Sequence, residues 1–406
     1  MAIEVIEANY RLVTPAFCGG ADPRKPELRL PSFKGVLRWW WRALAWPRYG
    51  NLDKIQHLDK IQHAEELLFG SVARQSATMM RLEVVAEPPS LKVGGALEGK
   101  LGDGNRFGEG ARYLGYGVME TGRNKLTRGC VAAPLHFTVE LRCRDLDEAA
   151  MTSLLEALRA LGLLGGIGAK SRKGYGSLVL KEVRLNGASC WTAPRTLNDL
   201  VDEVRKLYRE ASPAKLPPYT AFSAQSRHVF LSAGDGEDAL GLLDRVGREM
   251  MRYRSWGHDG KVLDGKREEN FTHDHYLMRE LRPSQRKDHP QRIAFGLPHN
   301  YGKGPENEVE PADDGLDRRA SPLLIHLHEC ANKPIAVLSF LPAQFLPEHN
   351  GKQPLINVGG QKVPLADNAS LWEPINDLLD RFLQQSQKYK RIEPFGASRS
   401  LPEARP

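Results

Sequence analysis

Residues 3–13 alternate apolar and polar side chains, the period of a half-buried strand. After a loop rich in Pro, Gly and charge, TPAFCGGADPRKPELRLP, the period changes. In SFKGVLRWWWRALAW, Phe33, Leu37, Trp40, Trp41 and Leu44 recur at helical spacing, with Ser32 placed as the N-cap. Lys34, Arg38 and Arg42 recur on a different face of that helix. The hexad LDKIQH then occurs twice, over residues 52–63. At about 3.6 residues per turn, six residues do not close whole turns. The repeat therefore reads as a local duplication that lengthens a helix, too short for a solenoid.

MMRLEVVAE, from Met79, reads as a strand. Further on, PLHFTVELRC puts Leu135, Phe137, Val139, Leu141 and Cys143 on one strand face. DEAAMTSLLEALRALGLL is an amphipathic helix with Leu154, Leu155, Leu158 and Leu161 inward, and YGSLVLKEVRL is another strand. Between these elements, residues 90–130 are glycine-rich and carry Lys92, Lys100, Arg106, Arg112, Arg123, Lys125 and Arg128. A stretch of this length and composition is expected to be an excursion outside the core, partly a flexible hairpin.

Without the excursion, residues 1–185 read β-α-β-β-α-β, the order of the ferredoxin-like split unit. ASPAKLPPYT, residues 211–220, is a Pro-rich hinge. A looser echo follows, with strands expected at 225–231, 292–298, 322–330 and 334–341 and helices at 238–254 and about 370–388. The expected fold class is α+β, with two tandem ferredoxin-like domains that carry insertions. Residues 1–211 form the first, 212–220 the linker and 221–406 the second.

Composition narrows the setting. The 406 residues are 41% hydrophobic and 26% charged, an ordinary globular balance that can bury a core. No run of about 18 apolar residues offers a membrane span. MAIEVIEANYRL has no basic region followed by an apolar one, so a cytoplasmic protein is expected. Cys18, Cys130, Cys143, Cys190 and Cys330 are scattered, which favours reduced thiols over a disulfide framework or zinc ribbon. The net charge of +7 is modest and suggests an anionic partner only where the basic residues cluster.

They cluster in residues 165–178, GGIGAKSRKGYGSL, where Lys170, Arg172 and Lys173 sit among glycines. A P-loop is excluded: Ala169 precedes Lys170-Ser171, and Leu164 holds the earlier glycine position. A dinucleotide fingerprint needs a strand before the glycines and a helix after, the reverse of the order here. A kinase glycine loop needs two flanking strands and catalytic motifs downstream. The stretch does fit G-h-G-x-x-x-x-x-G-h-G, where h is hydrophobic, through Gly166, Ile167, Gly168, Gly174, Tyr175 and Gly176. Glycines there permit positive φ, exposed amides offer a nest for phosphate oxygens, and the three cations are expected to be solvated. HDHY, with His273, Asp274 and His275, and the nearby His258-Asp259 invite a metal reading, but His-x-His does not share a helical face and no metal is expected.

The loop motif, its helix-to-strand position and the two ferredoxin-like halves resemble the RAMP superfamily of CRISPR RNA-binding proteins. ELRLPSFKGVLRWWWRAL, at residues 27–44, resembles the first RAMP subunit of the type III-B Cmr effector complex, as do RIAFGLPHNY and RRASPLLIHLHE in the second half. The resemblance implies a non-catalytic RNA-binding subunit in antiviral defence. Such a subunit sits near the 3′ end of the guide RNA and helps to capture target RNA, while cleavage belongs to a different, repeated subunit. Its partners would be guide CRISPR RNA, target RNA and other RAMP subunits, with no cofactor, membrane or small-molecule substrate. The 90–130 excursion would correspond to a thumb-like hairpin along the guide.

The candidate RNA contacts are Lys34, Arg38 and Arg42 on the first helix, and Gly166, Gly168, Lys170, Arg172, Lys173, Gly174 and Gly176 in the loop. Acidic partners one turn away are missing from the helix stripe. At least two of Trp39, Trp40 and Trp41 are expected in the core, leaving one to stack on a base or meet a partner. The alternative is a metal-independent CRISPR-RNA processing endoribonuclease, which needs a general base, usually His, near the first helix. Residues 20–49 contain no His, and His57 and His63 lie in the duplicated hexads, which favours binding. Tyr10 and His136 remain open as bases.

Overall fold

The first alternating segment becomes the centre of a sheet. The computed structural model describes residues 3–22, 24–49, 54–84, 89–100, 108–120, 123–208, 216–255, 268–312, 315–347, 353–384 and 390–392. The first half runs β1 (Ile3–Leu12), α1 (Leu30–Arg48), α2 (Lys54–Phe69), β2 (Thr78–Val84), β3 (Ser90–Leu91), α3 (Glu109–Leu114), β4 (Cys130–Val131), β5 (Leu135–Arg144), α4 (Glu148–Leu164), β6 (Leu178–Leu185), β7 (Ala188–Thr192) and α5 (Leu197–Arg205). Its sheet has the order β2-β5-β1-β6-β7, with β1 antiparallel to both β5 and β6. Ile6, Ala8, Tyr10 and Leu12 of β1 are buried beneath the two helices.

The second half runs β8 (Arg227–Ser232), α6 (Ala239–Arg254), α7 (Thr272–His275), β9 (His299–Asn300), β10 (Glu308–Pro311), β11 (Leu323–Cys330), β12 (Lys333–Phe340), β13 (Leu355–Val358), β14 (Gln361–Pro364), α8 (Asn368–Gln384) and β15 (Lys390–Ile392). Its main sheet has the order β11-β12-β8-β15. In each half the two middle strands, β2 and β5 or β11 and β12, lie outermost on one side, and β6 or β15 lies on the far side of the first strand. Both halves are therefore ferredoxin-like, and the chain is α+β. A separate sheet, β14-β13-β10-β9, is built from two insertions in the second half.

Several boundaries differ from those the sequence suggests. Helix α1 starts at Leu30, ahead of Ser32, because Pro31 occupies its first turn, where a fixed φ and a missing amide hydrogen cost nothing. Ser32 thus lies inside the helix and is not its N-cap. The strand expected at 292–298 is a 3₁₀ turn at Gln291–Phe295, and Gly296 at φ +117° ends it. Of the Pro-rich hinge, residues 211–215 lie outside the described residues, as do 209 and 210 before it. Towards its end Tyr219 Oη donates to the Arg42 carbonyl at 3.2 Å, and just beyond it Phe222 N donates to the Ala43 carbonyl at 2.9 Å, so this segment runs along α1.

The 90–130 excursion is part of the core, contrary to the sequence-based expectation. Leu97, Ala111, Leu114, Val118, Met119 and Leu126 are buried in one cluster with α6 and β11 side chains. Helix α3 crosses α6 at contact distance, because glycines remove the side chains between them. A Cβ on Gly110 would lie 2.0 Å from the Asp244 carbonyl oxygen, and one on Gly247 would lie 2.1 Å from that of Gly110. Asp244, buried in α6, also accepts from Ala111 N at 2.9 Å. Residues 101–107 and 121–122 of the excursion are outside the described residues.

Residues 54–57 of the first hexad and all of the second lie on α2, and their histidines meet different surroundings. His57 is buried and stacks on Trp46 with ring centroids 4.1 Å apart, whereas its counterpart His63 is exposed and contacts Arg74.

Gly110→Ala and Gly247→Ala are each expected to destabilise the fold by about 1–3 kcal/mol or more, because the added methyl meets backbone. Gly35→Ala, in open space on α1, should leave stability unchanged or raise it by about 1 kcal/mol. Chemical denaturation of the three variants tests both expectations.

Candidate nucleic-acid interface

The glycine stretch leaves α4 and immediately pairs with the chain on both sides. The Leu161 carbonyl accepts from Gly165 N, ending the helix. Ile167 N donates to the Gly176 carbonyl at 2.8 Å, Ala169 N to that of Phe17 at 3.0 Å, and Gly176 N to that of Pro15 at 2.8 Å. Thr14 Oγ1 donates to the Gly174 carbonyl at 2.6 Å and accepts from Ser177 N at 3.0 Å. These amides are used within the protein, so much of the phosphate nest expected from the glycines is already filled.

The motif glycines instead serve close packing. A Cβ on Gly176 (φ +65°) would lie 2.0 Å from the Ile167 carbonyl oxygen. On Gly168 (φ +89°) it would lie 2.8 Å from that of Phe17. Gly166 sits against Gly176 and Gly174 against Leu243 and Leu327. The hydrophobic positions between the glycines, Ile167 and Tyr175, are fully buried, and Tyr175 Oη donates to the Ala111 carbonyl at 2.7 Å.

The second half completes the loop. Ile325 N of β11 donates to the Arg172 carbonyl at 3.0 Å and Leu327 N to Ser177 Oγ at 3.0 Å. His326 Nδ1 lies 2.8 Å from the Gly165 carbonyl oxygen. Because β11 runs along the loop, Lys170, Arg172 and Lys173 are half-buried, not solvated as the sequence suggests. Lys170 itself holds a left-handed φ of +64°, a conformation rare outside glycine.

These cations lack acidic partners. Among the described residues no ion pair is formed by Lys170, Arg172, Lys173, Arg254 or Arg319. The Arg172 guanidinium lies 5.0 Å from the Trp39 ring centroid, and that of Arg254 lies 4.6 Å from Phe295. Burial, followed by the charges of Arg254, Lys170 and Arg172, pushes Lys173 down to about 7. Burial and Arg172 push Arg319 down to about 10, and burial alone lowers Lys170 and Arg172. Positive charge is held here against both desolvation and self-repulsion, a state that a bound anion relieves.

The helix stripe is positioned by its opposite face. Phe33, Leu37, Trp40, Trp41 and Leu44 are buried, and Trp41 Nε1 donates to Ser153 Oγ of α4 at 2.9 Å. Trp40 and Trp41 are core, as expected, and Trp39 is half-buried beside Arg172. The acid missing from the helix comes from α2 instead. Glu65 pairs with Arg38 Nε, and with Arg42 Nε at 3.1 Å. Lys34 is half-buried and forms no ion pair among the described residues. Of this stripe, Arg42 lines a cavity together with Arg172 of the loop.

The remaining candidates have structural partners. Asp274 is buried and accepts from Gln291 N at 2.6 Å, Arg292 Nε at 3.0 Å and Tyr301 Oη at 2.8 Å, while His273 pairs with Asp288 at 3.2 Å. His258 and Asp259 lie outside the described residues, among which no His, Cys, Asp and Glu group suits a metal. Tyr10 is buried, its Oη donating to the Leu158 carbonyl at 2.9 Å, and His136 is exposed opposite Arg11. His299 is held down to about 3 by burial and by Arg254 and Arg292.

Residues 9–179, from β1 through the glycine loop, match the model of the RAMP superfamily. The match covers less than half of the chain. Two curated relatives come from Pyrococcus furiosus. The CRISPR system Cmr subunit Cmr1-2 is 29% identical over 193 residues, covering 43% of this chain and 95% of the relative. Cmr subunit Cmr1-1 is 23% identical over 342 residues, covering 80% of this chain and 84% of the relative. The crystal structure of apo Cmr1 from that organism superposes with a TM-score of 0.52 at 20% identity, covering 97% of this chain and 99% of that one. This last likeness is one of fold.

The RAMP segment ends where β11 takes over the loop, so Arg254 and Arg319 lie outside it. Sequence reading missed both, because only tertiary packing brings α6 and the segment before β11 to the loop.

The unfolded chain keeps the Lys173 proton up to its ordinary value of 10.5, while the folded RAMP loop releases it near 7. The unfolded state therefore binds more protons between these values, and stability of the free protein should rise with pH across that window. Lys173→Met should flatten this rise. Denaturant melts at several pH values compare the two proteins, and identical slopes would sink the assignment.

Proposed function

We propose that this protein is a non-catalytic RNA-binding subunit of a type III-B CRISPR (Cmr) ribonucleoprotein. The observation that carries the reading is the cluster of half-buried cations on the RAMP glycine loop, with no carboxylate partner among the described residues. The names of the Pyrococcus relatives, both Cmr subunits, support the assembly. No helix among the described residues is long and apolar enough to cross a membrane.

In this reading the loop cations meet RNA phosphates, which makes binding strongly salt-dependent and nearly independent of sequence. The loop backbone is committed to the fold, so the glycines set the geometry and the side chains supply the contacts. Trp39, half-buried beside Arg172, offers a ring face to an RNA base. Arg42 extends the path along α1, with Glu65 holding it and Arg38 in place. Within the complex the strand is the guide RNA near its 3′ end, and the subunit helps to capture target RNA beside other Cmr subunits.

Replacing Lys170, Arg172 and Lys173 with Ala should weaken RNA retention and shallow the log–log salt dependence by about 2, at about 0.7 per lost single-strand phosphate contact. Unchanged binding across the salt series would make the loop purely structural. Incubation with labelled guide-repeat RNA in EDTA should return retarded, intact RNA. Site-specific product ending in a 2′,3′-cyclic phosphate would replace this reading with the endoribonuclease one.

A further inference from the structure

A cavity of about 270 Å³ opens where α1, the glycine loop and residues 316–320 meet. Arg42 enters it from α1, Arg172 from the loop, and Arg318 and Arg319 from the segment that leads into β11. None of its lining residues is acidic. Glu65 engages Arg42 but does not line the cavity, and neither does Asp317, although its chain neighbours do.

Arg319 and Arg172 are fixed by neutral groups, whereas Arg42 is held by Glu65. Arg319 donates from Nε to the Phe345 carbonyl at 2.6 Å, from Nη1 to that of Ala320 at 3.1 Å and from Nη2 to that of Gln344 at 3.4 Å. Arg172 donates from Nη1 to the Ser321 carbonyl at 3.3 Å and lies over Trp39. Carbonyls and rings orient a guanidinium without cancelling its charge. Arg172 and Arg319 are close enough for the charge of one to oppose that of the other. Arg318 adds an exposed cation at the rim. The walls between these charges are aromatic, formed by Trp39, Tyr219 and Phe345. A volume near the lower end of the ~300–1,000 Å³ typical of small-molecule sites admits one nucleotide unit and excludes a duplex.

We propose that this cavity seats one phosphate of a single RNA strand running on from the glycine loop, which carries the strand from the RAMP segment onto the second ferredoxin-like unit. The proposal rests on the loop as an RNA site, and Arg172 belongs to both. The test therefore uses residues that belong to only one: Arg318 and Arg319 for the cavity, Lys170 and Lys173 for the loop.

Fluorescence anisotropy of a labelled single-stranded RNA, titrated with the full chain over a salt series, reads both. Arg318→Ala/Arg319→Gln should weaken binding about tenfold or more, the scale of a lost charge-assisted contact, and shallow the salt slope by about 0.7 per contact. Lys170→Ala/Lys173→Ala should weaken it as well. Wild-type affinity and slope in the cavity variant, with weakening in the loop variant, would overturn the cavity and leave the loop reading standing. Weakening in the cavity variant alone would remove the loop from the RNA site and break the proposed path. Should the double variant fail to fold by circular dichroism, Arg318→Glu, at an exposed position, carries the same expectation. Inorganic phosphate separates the sources. If phosphate raises the thermal stability of the wild type and not of the cavity variant, while RNA binds both equally, the ligand is a free anion and the proposal falls.

Discussion

The glycine loop bonds its backbone to the segment after β1 on one side and to β11 on the other, and the rest of the junction depends on that sharing. Pro15 and Phe17, just beyond β1, take up its amides on one side, and β11 supplies donors to Arg172 and Ser177 on the other. A loop bonded in this way cannot swing out to reach a ligand. Its basic side chains are held at the seam between the halves before any ligand arrives. The ordering cost that a mobile loop would meet on binding is then already met in folding.

That constraint gives the G-h-G-x-x-x-x-x-G-h-G pattern its physical meaning. The paired glycines allow two backbone segments to touch, and the residues between them, Ile167 and Tyr175, fix the pair into two different cores. The five residues in the middle are what this frame displays. Their charge is expensive in the free protein, because Lys173 is both desolvated and surrounded by Lys170, Arg172 and Arg254. That unpaired, half-buried charge is held in place by the hydrophobic cores on either side of it.

Much of this was legible in the sequence, and the rest fails for definite reasons. β1, β5, α1, α4 and β6 have long, regular periods and appear where the pattern puts them. β9, β10, β13 and β14 span only two to four residues, too few for any period to show. The 90–130 segment looked like an external loop because its glycines resemble flexibility, yet Gly110 is there to bring α3 against α6. Lys170, Arg172 and Lys173 were found from local composition, but their burial depends on β11, about 150 residues away, and no local rule reports that. Arg254 and Arg319 carry no motif at all. The capping box of α5, Thr196 with Asp199, is a start signal written in the local sequence.

The duplicated hexad of α2 shows how a helix treats copied information. Six residues advance a helix by about 600°, which leaves the second copy turned by about 240° from the first. Identical letters therefore meet unlike neighbours, with His57 stacked on Trp46 and His63 in solvent. Selection for packing can act on only one member of such a pair. The other is free to drift, so the two hexads should part in sequence long before the helix that contains them loses its place.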